Sequence, residues 1–161
     1  MGPSHLHVES LEGRRVLSAP AGTPAFVPPP SSEPTDYDLV LTEVCEDPIG
    51  IKILTNRQKT EYFSDRSGNS VKYLTTGALK VQVVNLDTLE SLVLNISGPQ
   101  AGYLHETATT KGPWLFFFTA NNTQGQDPGL ILIHGRTQYS TESFQVLQGH
   151  VVDICEALHA A

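Results

Sequence analysis

From residue 37 onward, apolar and polar residues alternate in short runs, and each run ends at turn-forming residues. In "IGIKIL", Ile49, Ile51 and Ile53 share one face and Lys52 takes the other. "LKVQV" sets Leu79, Val81 and Val83 against Lys80 and Gln82, and "SLVLNIS" aligns Leu92, Leu94 and Ile96. A period of two places alternate side chains on opposite faces of a strand, one face buried and one wet. Between the runs lie "DRSGN" at 65–69, "NLDTLE" at 85–90, "SGPQAG" at 97–102 and "NNTQGQDPG" at 121–129, all with the composition of turns. Further strand candidates fall at 60–64, 70–75, 103–109, 114–119, 130–139 and 143–154. No long 3.6-residue period precedes "CEALHAA", which suits one terminal helical turn. The pattern predicts an all-β domain, an antiparallel sandwich of about eight or nine strands, with a small β-barrel as the alternative. "WLFFF" at 114–118 and "GLILI" at 129–133 are apolar on both faces, as in strands covered on each side. The other reading of "WLFFF" is an exposed aromatic patch, which makes Trp114 a weak binding candidate.

Residues 18–36 hold six of the eleven prolines, with Ser, Thr and Gly between them. Each proline removes a ladder donor, so the stretch cannot enter a sheet interior and reads as a polyproline-like linker. It divides the chain into a leading segment, 1–17, and a single β-domain, 37–161.

The formal charge of −7 argues against nucleic acid, because phosphate binding needs a concentrated basic surface. Beyond residue 80 the only Lys or Arg residues are Lys111 and Arg136. The run "WLFFF" is far too short to span a bilayer, so no integral membrane protein is expected. Nor does the N-terminus carry the apolar core of an ordinary secretory signal. The two cysteines, Cys45 and Cys155, stand near the two ends of the β-domain. They fit either a bridge that closes almost the whole domain or two separate buried thiols.

No catalytic set emerges. His105, His134 and His150 share no i, i+2 or i+4 spacing, so no local metal pair exists. His150 follows Gly149, a candidate bulge; in an unbulged strand it shares a face with Val146, Val152 and Ile154, as a core histidine would. "HGR" at 134–136 ends an apolar run, so His134 and Arg136 emerge together at a strand end, which fits either an anion-holding pair or ordinary edge polarity. G-x-S-x-G, P-loop and dinucleotide-binding glycine patterns are absent. Asp87, Glu90 and Glu106 form no pair in apolar surroundings. Neither a cofactor nor a resident metal is expected. Asn95-Ile96-Ser97 and Asn121-Asn122-Thr123 fit the N-glycosylation triplet.

The segments "GALKVQVVNLDTLESLVLNISGP", "GPWLFFF", "GLILIHGR" and "GHVVDICEAL" occur in that order over residues 77–158. Together they resemble a family of small secreted proteins of the actinobacterial type with no established activity. The resemblance, which covers about residues 45–158, implies an exported all-β domain whose first and last cysteines pair, here Cys45 with Cys155. "VESLEGRRVLSA" at 8–19 is similar to the L-E-x-R-x-L-L-S-A motif of planctomycete surface proteins, which implies export or surface sorting. The expected function is a non-enzymatic, exported β-sandwich that binds or supports something at the cell surface or beyond it, its partner unknown. One alternative is a carrier of a small apolar ligand in a barrel cavity. Another is a hydrolase or metal-dependent enzyme using His134, Arg136 and a distant carboxylate.

Overall fold

The computed structural model describes residues 25–26, 37–68, 70–104 and 106–160. The sorting-like segment 1–17, the linker apart from Ala25 and Phe26, and His105 lie outside the described residues. In chain order the strands are β1 (Ala25–Phe26), β2 (Leu39–Leu41), β3 (Ile49–Asn56), β4 (Lys59–Ser64) and β5 (Ser70–Thr76). They continue with β6 (Leu79–Asn85), β7 (Ser91–Asn95), β8 (Gln100–Tyr103), β9 (Ala108–Phe118), β10 (Gly129–Tyr139) and β11 (Phe144–Asp153). One helix, α1 (Ile154–His159), follows.

Every strand pairing is antiparallel. A five-stranded sheet runs β1-β7-β6-β3-β2 and a six-stranded sheet runs β11-β10-β9-β8-β5-β4. The architecture is an all-β sandwich, and the strands do not close into the barrel that was the alternative. The alternation in the sequence becomes the core directly. Ile49, Ile51, Leu79, Val81, Val83, Leu92, Leu94 and Ile96 line the inner face of the first sheet. Leu115, Leu130 and Leu132 meet them from the second sheet, and Ile154 and Leu158 of α1 close one end. Each such side chain contributes about 1.5–3 kcal/mol by leaving water.

Three expectations need correction. The strand expected at 103–109 instead spans the connection between β8, which ends at Tyr103, and β9, which begins at Ala108, and most of β8 lies in the "SGPQAG" stretch expected to turn. Pro99 and Gly102 give that stretch its turn-like composition, yet both suit the ladder. Pro99 stands just before β8, where its carbonyl accepts from Lys111 N. Gly102 lets β9 approach closely, since a Cβ there would lie 3.0 Å from the Ala108 Cα. The second correction concerns the linker. Ala25 and Phe26, with no proline between them, pair with Val93 and Leu92 and add an edge strand. The position respects the proline rule, because an edge strand needs donors on one side only. Third, β11 stops at Asp153, whose side chain accepts from Glu156 N and caps α1.

The second sheet buries both of its faces around β9 and β10. Leu115 faces the common core, while Trp114, Phe116, Phe118 and Ile133 form a second cluster on the opposite side. Strong curling encloses that cluster. In the ladder Phe116 stands opposite Ile131 and Tyr139 stands opposite Ala108, eight residues further along. A flat strand would hold those two positions about 26 Å apart at ~3.3 Å per residue. Their rings instead meet edge to face with centroids 5.5 Å apart, and Phe144 packs on Phe116 at 4.9 Å and on Phe118 at 4.8 Å. The curl passes through a row of glycines, Gly112, Gly135 and Gly149, that are register partners across β9, β10 and β11. A Cβ on Gly135 would come 2.0 Å from the Gln148 carbonyl oxygen, so no other residue fits there.

Candidate functional site

Next to the glycine row, on the face shared with Leu115, Leu132 and Val152, the three long strands present a basic patch. Alternation puts His134 and Arg136 on the Leu132 face of β10, Lys111 and Pro113 on the Leu115 face of β9, and His150 and Gln148 on the Val152 face of β11. The register then lines up Pro113, His134 and His150 as one row and Lys111, Arg136 and Gln148 as the next. Leu132 is buried in the common core, His134 is half-buried and Arg136 is exposed, so the face runs from the interior out into water.

The two Lys or Arg residues of the chain beyond residue 80 therefore stand directly opposite each other. Like charges in directly opposed positions destabilise a sheet by about 0.2–1 kcal/mol. Nothing offsets the repulsion locally. The one ion pair among the described residues joins His159 to Asp47 at 3.9 Å, in another part of the molecule. Burial, and then the charge of His150 across the strand, hold the His134 pKa below its ordinary value. An incoming oxyanion would reverse the second cause. Arg136 offers a planar fork, Lys111 a point charge, and the two imidazoles further donors when protonated.

Gly149 and the irregularity beside it create this arrangement. The ladder shifts between Arg136 and Thr137, opposite Leu147, so Val146 turns to the aromatic side while His150 stays on the Val152 face. His150 is exposed, so the core-histidine reading of an unbulged strand is corrected: the ladder is irregular here and Val146 no longer shares its face.

Trp114 is fully buried on the opposite face of β9, so the structure separates it from His134 and Arg136. Cys45 and Cys155 form a disulfide with Cα atoms 5.5 Å apart, tying the segment between β2 and β3 to α1. An open groove of about 720 Å³ passes over this bridge, bordered by Glu43, Glu46 and Asp153. Among the described residues no group of three or more His, Cys, Asp or Glu side chains is placed to hold a metal. Asn95 is exposed, its Oδ1 accepting from the Ser97 hydroxyl at 2.6 Å, and Asn121 is exposed in the turn after β9.

Lys111 and His150 could not be assigned to the patch from sequence, since 23 and 14 residues separate them from His134 and Arg136 respectively. The signal that would have found Lys111 is the scarcity of basic residues beyond position 80, taken together with the β9–β10 register. No family model, no curated protein and no solved structure matches this chain.

Proposed function

We propose that the protein is an exported, non-enzymatic binding module that recognises an oxyanion, a carboxylate or a phosphate, through the β9–β10–β11 face. The observation that carries this reading is the opposed pair Lys111–Arg136 beside His134 and His150, on a chain whose formal charge is −7. Folding gains nothing from placing like charges together, so their concentration favours a ligand that neutralises them. Two features support the compartment. The bridge between Cys45 and Cys155 is of a kind that persists in oxidising surroundings. The order of landmarks over residues 77–158 resembles that of small secreted proteins.

The test is a titration with citrate and with inorganic phosphate, followed by amide and imidazole NMR shifts at about pH 6 and about pH 7.5. Shifts should cluster at Lys111, His134, Arg136 and His150 and strengthen at the lower pH. Arg136→Gln should abolish them without changing the fold. Shifts scattered over the surface, or unaffected by that substitution, would remove the anion reading. The ratio of citrate to phosphate affinity would then separate the two ligand chemistries.

A further inference from the structure

The concave face of the six-stranded sheet, the side opposite the basic patch, carries a second polar feature. Thr75 of β5 stands opposite Gln100 of β8, Gln100 opposite Thr110 of β9, and Thr110 opposite Thr137 of β10. These four side chains form one continuous row across four strands, and none is more than 1% exposed. The aromatic residues Tyr73, Tyr139, Trp114 and Phe116 lie on the same side of the sheet.

Part of the row is satisfied within the protein. Thr75 Oγ1 meets Thr60 Oγ1 at 2.8 Å. Gln100 Nε2 donates to the Tyr73 hydroxyl at 3.0 Å and also to the Tyr139 hydroxyl, which uses both of its protons. Three adjacent oxygens are left without a partner: Gln100 Oε1, Thr110 Oγ1 and Thr137 Oγ1. Buried polar atoms in native proteins are almost always paired, and a group left dry forfeits its hydration without return. Three in adjacent register positions would be a heavy cost for one small domain.

The spacing points to the partner these oxygens take. Directly opposed positions hold their Cβ atoms about 4.5–5.5 Å apart, a separation at which one bridging molecule can hydrogen-bond to both side chains. The bridging species must donate, since Gln100 Oε1 only accepts, and it must serve hydroxyls that donate or accept. It is uncharged, because no ionised side chain belongs to the row and aromatic rings adjoin it. It is small, because opposed positions on neighbouring strands leave only the space between their own side chains. We propose that Gln100, Thr110 and Thr137 form an internal water-binding site, with ordered water bridging each adjacent pair of oxygens. The site lies one alternate position from the glycine row at Gly112 and Gly135, so the water joins β8, β9 and β10 where the sheet curls.

Two measurements test this together. In a crystal structure of the intact protein at about 1.5 Å or better, or by NMR cross-relaxation with water, bound water should be found between Gln100 Oε1 and Thr110 Oγ1 and between Thr110 Oγ1 and Thr137 Oγ1. In parallel, Thr137→Val and Thr110→Val keep shape and remove a hydroxyl. Each single variant should melt several degrees lower than the parent, and the double variant should lose less than the sum, because both hydroxyls serve the same water. A dry row gives the opposite sign: Thr137→Val would relieve an unpaired hydroxyl and raise the melting temperature, which would overturn the proposal. Density for a larger organic molecule across the three oxygens would overturn it too, since the site would then hold a ligand. Should a valine variant fail to fold, the search for water in the parent protein decides alone.

Discussion

Removing the bridge between Cys45 and Cys155 tests how the domain holds its ends. The two residues are separated by 110 positions, so the cross-link closes most of the folded chain into one loop. The chain-entropy relation for a loop of that size gives about 4.8 kcal/mol at room temperature. Native disulfides in small secreted domains contribute about 2–5 kcal/mol, so a loss of about 3–5 kcal/mol is expected. The structure adds a local reason for the upper part of that range. Cys155 lies in α1 between Ile154 and Leu158, both fully buried, and Cys45 adjoins Val44, which belongs to the same core. Without the bridge, a six-residue helix and an irregular segment are held by packing, the long His159–Asp47 ion pair and the hydrogen bond from Asn85 Nδ2 to Asp47.

A domain of this size stands about 5–15 kcal/mol above its unfolded state. The loss therefore takes a large fraction of its stability, and corresponds to a fall in Tm of roughly 10–20 °C. The assay is differential scanning calorimetry of the protein with and without a phosphine reductant, and of the double variant Cys45→Ala/Cys155→Ala. The reduced protein and the variant should agree. A fall below about 3 °C would show that α1 is held by its apolar contacts and that the loop argument does not apply. Two titratable thiols in the denatured, unreduced protein would refute the bridge outright.

Two further outcomes follow from the curled sheet and the basic patch. Gly135→Ala should prevent folding or lower stability by several kcal/mol, read as loss of soluble protein or of the unfolding transition, because its Cβ would enter the Gln148 carbonyl. The His134 pKa is lowered in the folded state, so the unfolded chain binds more protons there. The associated stability is complete above the ordinary histidine pKa of about 6.5 and is lost as pH falls through the folded value. Melting temperature should therefore drop from about pH 7.5 to about pH 5.5, and His134→Gln should flatten that slope. An unchanged slope would show that burial of His134 does not govern acid sensitivity.

The sandwich was legible where residue chemistry and face agreed. In β3, β6 and β7 the alternate apolar residues Ile49, Ile51, Leu79, Val81, Val83, Leu92 and Leu94 are turned to the core, although Gln82 and Val84 on the other face of β6 are buried as well. Legibility failed at 97–109, where Pro99 and Gly102 imitate a turn while serving a strand end and a close strand approach. The two-residue strand β1 was too short to leave any period in the sequence. At the candidate site, His134 and Arg136 could be paired from their spacing, but Lys111 and His150 join them only through ladder register. Register depends on the exact turn lengths and on the irregularity opposite Leu147, neither of which alternation reports. The same limit hid the row from Thr75 to Thr137, whose members are contributed singly by four strands.

The order of strands within the two sheets has a consequence for how the chain reaches this structure in time. β3 belongs to the first sheet, β4 and β5 to the second, β6 and β7 to the first again, and β8 to β11 to the second. The hairpins β4–β5, β6–β7, β9–β10 and β10–β11 pair neighbours in sequence and can form early. The pairings β3–β6 and β5–β8 each enclose a segment that belongs to the other sheet, so neither sheet can be completed independently. Folding is accordingly expected in the millisecond-to-second range of domains dominated by non-local pairing. Cys45 precedes β3 and Cys155 follows β11, so their sulfurs are held at bonding distance once the interleaved strands have assembled. With Cys45 and Cys155 as the only cysteines, the one intramolecular bond open to the chain is the native one, and folding favours it by holding the two sulfurs together.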